Sequence, residues 1–223
     1  MLQPDNSDYS EIYSAYVAGT LDPAFSLMVA TQAALRPSVE RAVARAESIA
    51  GALLENETPT ELSDGALDRA MALIDSIEPE KKDVTAGVMQ AGNALNEIFE
   101  LPEPLRSSAL EACGRDGWRA LSSGVKRLNL DTGSESTAEL YRIEPRQMVP
   151  RHSHSGEEYT LVVAGGFSDE AGHHIAGDLC VKDAADTHQP IGDDDGICYA
   201  LAIRNGGLKF TGALGLIQRL IGQ

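Results

Sequence analysis

The chain has 223 residues, enough to bury a substantial core as one large domain or two small ones. Its 18 basic and 34 acidic side chains leave a net charge of −16, which repels phosphate backbones and argues against direct nucleic-acid binding. Three widely spaced cysteines, Cys113, Cys180 and Cys198, form no CxxC pair and argue against a disulfide framework or a thiolate zinc site.

The opening MLQPDNSDYSEIY has neither a basic start nor an apolar run, and no segment approaches the ~20 apolar residues that span a bilayer. The expectation is a cytoplasmic protein with reduced thiols in its core and no membrane contact. Ile12, Tyr13, Tyr16 and Val17 fall on one helical stripe closed by Gly19. Asp22 followed by Pro23 is a cap plus a first-turn proline, which opens a second helix through Phe25, Met28, Val29 and Ala33 to a stop before Pro37. Ser38 is the expected cap of a third helix, with a face of Val39, Ala42, Val43, Ala46, Ile49, Ala50, Leu53 and Leu54. After ENETPTE, a fourth helix places Leu67, Ala70, Met71 and Ile74 on one side. Such helices are too short to stand alone and must pack on one another or on a partner.

The stretch from 78 to 104 is polar and mixed, and NALNEIFELPEPL reads as a helical turn or docking segment in an interdomain connection. From about Gly124 the apolar period becomes two: VKRLNL, TAELYRIEP, EEYTLVVAGGF, DLCVKD and ICYALAIRN are short β-rich runs between turn residues. The predicted organisation is α+β and multidomain: a helical unit over 1–80, a linker and docking segment over 81–110, and an all-β sandwich or barrel over 111–223.

The chemistry concentrates in PRHSHSGEEYTLVV. His152 and His154 are two apart, so a strand turns both to one face, and Glu158 keeps their parity if the extended path continues. Two imidazoles and a carboxylate on one face make three ligands of a divalent transition metal, and His188 on a later strand is a candidate fourth. A lone histidine is more often an ordinary surface or core residue, the role assigned to His173 and His174, in an apparent turn. Glu157 has the opposite parity and is expected to face away. The ligand types suit zinc, iron, manganese or nickel. No catalytic residue is assigned, because no second acid–base constellation stands nearby.

His152, His154, Glu158 and Gly165 resemble the first cupin motif, and Gly177 with His188 the skeleton of the second; that resemblance implies a double-stranded β-helix, a jelly-roll-like barrel. The first motif's leading glycine is replaced by Arg146, and the second motif's proline and glycine by Asp183 and Ala185. Over nearly its full length, through IYSAYVAGTLDPAFSLMVATQAAL, ALLENETPTELSDGALDRAMALID, LPEPLR, GGFSDEAGHHIAGD and LKFTGALGLIQRLIG, the chain resembles the ChrR-type anti-sigma factors. The resemblance implies an N-terminal helical domain that clamps an extracytoplasmic-function sigma factor. It also implies a C-terminal cupin that answers an oxidative signal and binds one zinc through His152, His154, Glu158 and His188. The family's N-terminal zinc motif, HxxxCxxC, aligns with Gln32, Arg36 and Val39, and no histidine precedes His152, so a second, helical zinc is not expected. Val39 is then expected to extend its helix's apolar face, and Arg36 to pair with an acid or cap helix carbonyls. Two other readings stand beside sigma binding: helices that serve packing or homodimerisation, and a cupin that works as a metalloenzyme (dioxygenase or isomerase) or small-molecule sensor.

Overall fold

The computed structural model describes residues 9–77, 95–205 and 208–210. Helix α1 (Ser10–Val17) ends before Gly19, whose φ of 68° turns the chain back. Helix α2 (Pro23–Leu35) starts as its sequence dictates: the Asp22 carboxylate accepts from the Ala24 N–H at 2.9 Å, and Pro23 sits where no N–H is needed. Helix α3 (Pro37–Glu55) follows with no intervening loop, and its cap corrects the expectation at Ser38. Proline at the first helical position drives the preceding residue into extended backbone, so Arg36 (φ −125°, ψ 107°) caps α3 while also closing α2.

The first three helices close a small core of Tyr13, Val29, Val39 and Val43. Val39 is 1 % exposed and does extend the apolar face. The distal half of that face is not covered: Ile49, Leu53 and Leu54 are exposed. Helix α4 (Ala66–Ser76) is amphipathic, yet none of its residues is buried.

Part of the expected linker lies outside the described residues. Its C-terminal end folds as a short helix α5 (Leu95–Phe99) and a longer α6 (Leu105–Arg115), which runs through the boundary expected at 110/111. Leu105, Ala109, Leu110, Ala112 and Cys113 of α6 are buried. This helix escapes a periodicity reading because small Ala and Cys side chains make up much of its buried face.

Among the described residues the β half contains three sheets. Strands β1 (Arg119–Ser122), β2 (Val125–Leu130), β3 (Thr137–Ile143), β11 (Cys198–Arg204), β5 (Glu158–Ala164) and β8 (Leu179–Lys182) form a six-stranded sheet in the order β1-β2-β3-β11-β5-β8. Strands β10 (Ile191–Gly192), β6 (Gly166–Asp169) and β7 (Gly172–Ile175) make a second sheet, and β12 (Leu208–Phe210), β4 (His152–His154) and β9 (Thr187–His188) a third. Strand β11, in the interior of the six-stranded sheet, is buried on both faces, which explains why CYALAIR is apolar without alternation. Cys198, Ala200 and Ala202 of β11 join Tyr141, Ile143, Val162 and Phe167 in the barrel interior. Tyr199, Leu201 and Ile203 face the other way, into a core shared with Ala24, Leu27 and Met28 of α2, Ile98 of α5 and the buried face of α6.

Helix α2 thus belongs to two cores at once. Met28 packs on the sheet and its neighbour Val29 on the other helices. The segment AGHHIAGD, expected as a turn, is in part strand β7: His173 pairs with Ser168 and His174 with Phe167 of β6. All three cysteines are buried free thiols, and burial pushes the Cys113 thiol up to about 11 and the Cys198 thiol up to about 12.

Candidate metal centre

Strand β4 carries His152 and His154 with the buried–intermediate–buried pattern that alternation requires, and both are almost wholly enclosed. The path does not run straight on to β5, since residues 155–157 form a bend. Glu158 nevertheless opens β5 on the same face, while Glu157 is exposed and accepts from the Tyr159 hydroxyl at 3.2 Å. Strand β9 pairs antiparallel with β4, His188 lying opposite His152. One potential ligand atom from each of His152, His154, Glu158 and His188 lies within 4.8 Å of every other, and all four residues are buried.

The three imidazoles point their Nε2 atoms at one another: His188 Nε2 is 3.0 Å from that of His152 and 3.2 Å from that of His154. Two of the rings have their Nδ1 engaged outward. His152 Nδ1 lies 2.7 Å from the Pro150 carbonyl, and His188 Nδ1 3.1 Å from Asp169 Oδ2. Both acceptors require an N–H, so both Nε2 atoms turn lone pairs inward. Burial, then the neighbouring His188, lower the pKa of His152 to about 4; burial also lowers that of His154. Three imidazoles whose Nε2 atoms converge in a buried space, with Glu158 Oε1 3.6 Å from His188 Nε2, form a donor set suited to a cation.

Around this set the structure places residues that spacing alone did not single out. Asp169, whose carboxylate is fully buried, receives His188 Nδ1 on Oδ2, the Lys182 ammonium on Oδ2 at 3.0 Å, and the Ala171 N–H on Oδ1 at 2.8 Å. Burial alone would raise its pKa; the hydrogen bonds from His174, His188 and Lys182 outweigh that and hold it far below the usual carboxylate range. The same contact, with Cys180 close by, raises His174 to about 9. Asp169, His174 and Cys180 also form a ligand-type cluster, but the Lys182 ammonium on Asp169 opposes a second cation there. On the opposite side Arg204 donates to Glu158 Oε2 at 3.3 Å and pairs with Glu139, and the Thr160 hydroxyl donates to Glu158 Oε1 at 3.2 Å. A charged residue ending the apolar run ICYALAIR was the one sequence signal for Arg204; Asp169 and Lys182 had none, because their roles depend on strand pairing.

The departures from the motifs leave the quartet in place. Arg146, standing for glycine, adopts a left-handed φ of 61°, the conformation glycine would take without strain. Its N–H reaches the Gly192 and Asp193 carbonyls, which hold the turn. In the second motif Asp183 accepts from the Ala185 N–H at 2.7 Å and Asp186 from the Asp183 N–H at 2.9 Å, so side-chain turns replace Pro and Gly ahead of His188. A cavity of about 30 Å³ beside the quartet is lined by Tyr141, Ile143, Val149, Phe167, Pro190, Ala200 and Ala202 together with His152, Glu158 and Thr160.

Residues 108–205 match a family model described as the ChrR Cupin-like domain. Over 203 residues the chain is 33% identical to the Anti-sigma-E factor ChrR of Cereibacter sphaeroides, and the match covers 91% of each chain. The chain belongs to the ChrR family. Its fold is similar to a chain in the crystal structure of Rhodobacter sphaeroides SigE in complex with the anti-sigma ChrR, with a TM-score of 0.67 and 32% identity over 88% of this chain and 96% of that one. The helical region followed by a cupin barrel is therefore the family's architecture.

Proposed function

We propose that this member of the ChrR family is a cytoplasmic anti-sigma factor whose helices sequester an extracytoplasmic-function sigma factor, and whose cupin holds one divalent metal and responds to an oxidative signal. The observation that carries the first half is the uncovered apolar surface on α3 and α4. Leu53 and Leu54 are 67% and 75% exposed, and Ile49, Leu67, Met71 and Ile74 are at least half exposed. Burying side chains of this size stabilises by about 1.5–3 kcal/mol each, so two apolar helix faces left in water mark a partner site. Two amphipathic helices on a chain of net charge −16 complement an apolar cleft in a basic, DNA-binding partner. Among the described residues no helix is long and apolar enough to cross a membrane.

In the cupin, His152, His154, Glu158 and His188 would be the metal ligands, with zinc the first candidate and iron, manganese or nickel the others. A metal there would cross-link strands β4, β5 and β9, so its loss would loosen the barrel. The cavity of about 30 Å³ is small beside the ~300–1,000 Å³ of sites that enclose organic ligands, which favours a regulatory centre over a metabolic enzyme. Co-expression with the sigma factors encoded beside the gene, followed by pull-down and metal analysis, tests both halves. We expect a 1:1 complex, lost on Leu53→Asp, and one metal per chain, lost on His154→Ala. No complex with any such sigma factor removes the first half, and metal retained in full by His154→Ala removes the ligand assignment.

A further inference from the structure

Two side chains of the segment TQAALRPSV, Gln32 and Arg36, make polar contacts with the barrel. Gln32, 6% exposed on α2, donates through Nε2 to the Gly177 carbonyl at 3.2 Å. Arg36, at the junction of α2 and α3, forms an ion pair with Asp178, whose side chain is 9% exposed. The turn is shaped to receive them. Gly177 has a φ of 89°, and a Cβ there would stand 2.2 Å from Arg36 Nε, so only glycine leaves room for the guanidinium. Asp178 keeps its other oxygen for the Ile175 N–H at 2.9 Å, which fixes its direction.

That turn is continuous with the metal centre. The Gly177 N–H donates to the Val162 carbonyl at 2.7 Å, and the Val162 N–H to the Asp178 carbonyl at 3.0 Å, which ties the turn to β5. Glu158 lies four residues back on that strand, about 13 Å at the rise of an extended chain. Strand β8 begins one residue after Asp178 and pairs with β5, placing Lys182 opposite Glu158. Lys182 in turn holds Asp169, which holds His188. At the ligand end of β5, the Phe25 ring of α2 meets Tyr159 edge to face at 5.0 Å. Helix α2 therefore touches the β5–β8 ladder near the quartet and again at the turn beyond it.

We propose that Gln32 and Arg36 with Gly177 and Asp178 form a clasp that couples the cupin metal centre to the helical unit. Metal binding stiffens the β5–β8 ladder through Glu158 and through the Asp169–Lys182 pair. The clasp hands that constraint to Arg36, the residue that ends α2 and starts α3, and α3 carries the exposed apolar surface. The coupling rests on reading the quartet as a metal site, and it requires no bound partner.

Hydrogen exchange on the full chain, zinc-loaded and after chelation, tests it, with zinc stoichiometry measured separately. In the wild type, chelation should raise exchange of α2 and α3 amides several-fold. In Arg36→Met and in the isosteric Asp178→Asn, that exchange should already be raised in the zinc form and should no longer respond to chelation, at one zinc per chain. Should Arg36→Met fail to fold, Asp178→Asn decides. Zinc uptake with α2 and α3 indifferent to chelation in the wild type, or equally responsive in the variants, overturns the coupling alone. Failure to take up any zinc overturns the metal reading and the coupling with it.

Discussion

Met28 and Val29 are adjacent on α2 and almost equally buried, at 1% exposure each, yet they belong to different cores. Met28 packs with Leu128, Leu140, Leu161 and Leu201 of the sheet, Val29 with Tyr13, Val39 and Val43. Truncating Met28 to alanine leaves a cavity between helix and sheet, and such changes cost about 2–5 kcal/mol. For a chain of this size each kcal/mol moves the melting temperature by roughly 2–4 °C, so Met28→Ala should lower it by roughly 4–20 °C. Val29→Ala removes the equivalent of two methylenes and should cost less, about 1.5–2.5 kcal/mol. The chain's single tryptophan, Trp118, packs against the shared core beside Tyr199, with ring centroids 6.3 Å apart, and so reports on the barrel side. Melting followed by Trp118 fluorescence and by far-ultraviolet circular dichroism should give one coincident transition, shifted in both signals by Met28→Ala. If helicity in Met28→Ala melts early while Trp118 stays at the wild-type temperature, the helices and barrel are separate units and the shared core is refuted.

Two further outcomes follow from the same contacts. Asp169→Asn removes a charged acceptor that fixes the His188 tautomer, and should weaken zinc binding about 10–100-fold in a chelator competition with the fold retained; an unchanged affinity would show that Asp169 is only structural. Glu97 on α5 accepts from Arg142 Nε at 2.8 Å and the Tyr199 hydroxyl at 2.6 Å, and these contacts, Arg142 first, lower its pKa from the ordinary 4.5. A depressed carboxylate contributes stability that is present above its unfolded value and lost as the pH falls through its folded one. Below about pH 4.5 the wild type should lose stability more steeply than Glu97→Gln, in melts at stepped pH, and parallel curves would refute the linkage.

The strand runs and the His152–His154 pair were legible because both depend on local periodicity, and the motif spacing added Glu158 and His188. Alternation places His152 and His154 on one face of β4, while Glu158 joins them from β5 across the intervening bend, and VKRLNL and CYALAIR fold as strands within the runs their composition marks. What escaped depends on pairing between distant segments. Asp169 looks like any loop acid until β6, β8 and β9 bring Lys182 and His188 to it. His173 and His174 sit in a run with turn-like neighbours, and only the ladder with β6 makes it a strand.

Helix α2 is the instructive case. PAFSLMVATQAAL is apolar on all sides, and a short helix of that kind must be covered on all sides. The two helices of its own unit that pack on it, α1 and α3, cannot supply that cover, so the composition of α2 alone calls for a second apolar surface, which the six-stranded sheet provides. The same argument bears on Gln32 and Arg36. A buried polar side chain needs a partner: Thr31 finds one in its own helix, at the Leu27 carbonyl, while Gln32 finds its partner across the second surface, where Arg36 also pairs with Asp178. A segment that could not hold zinc thereby becomes evidence of docking: with metal ligands it would tie helix to helix, whereas with glutamine and arginine it ties helix to barrel.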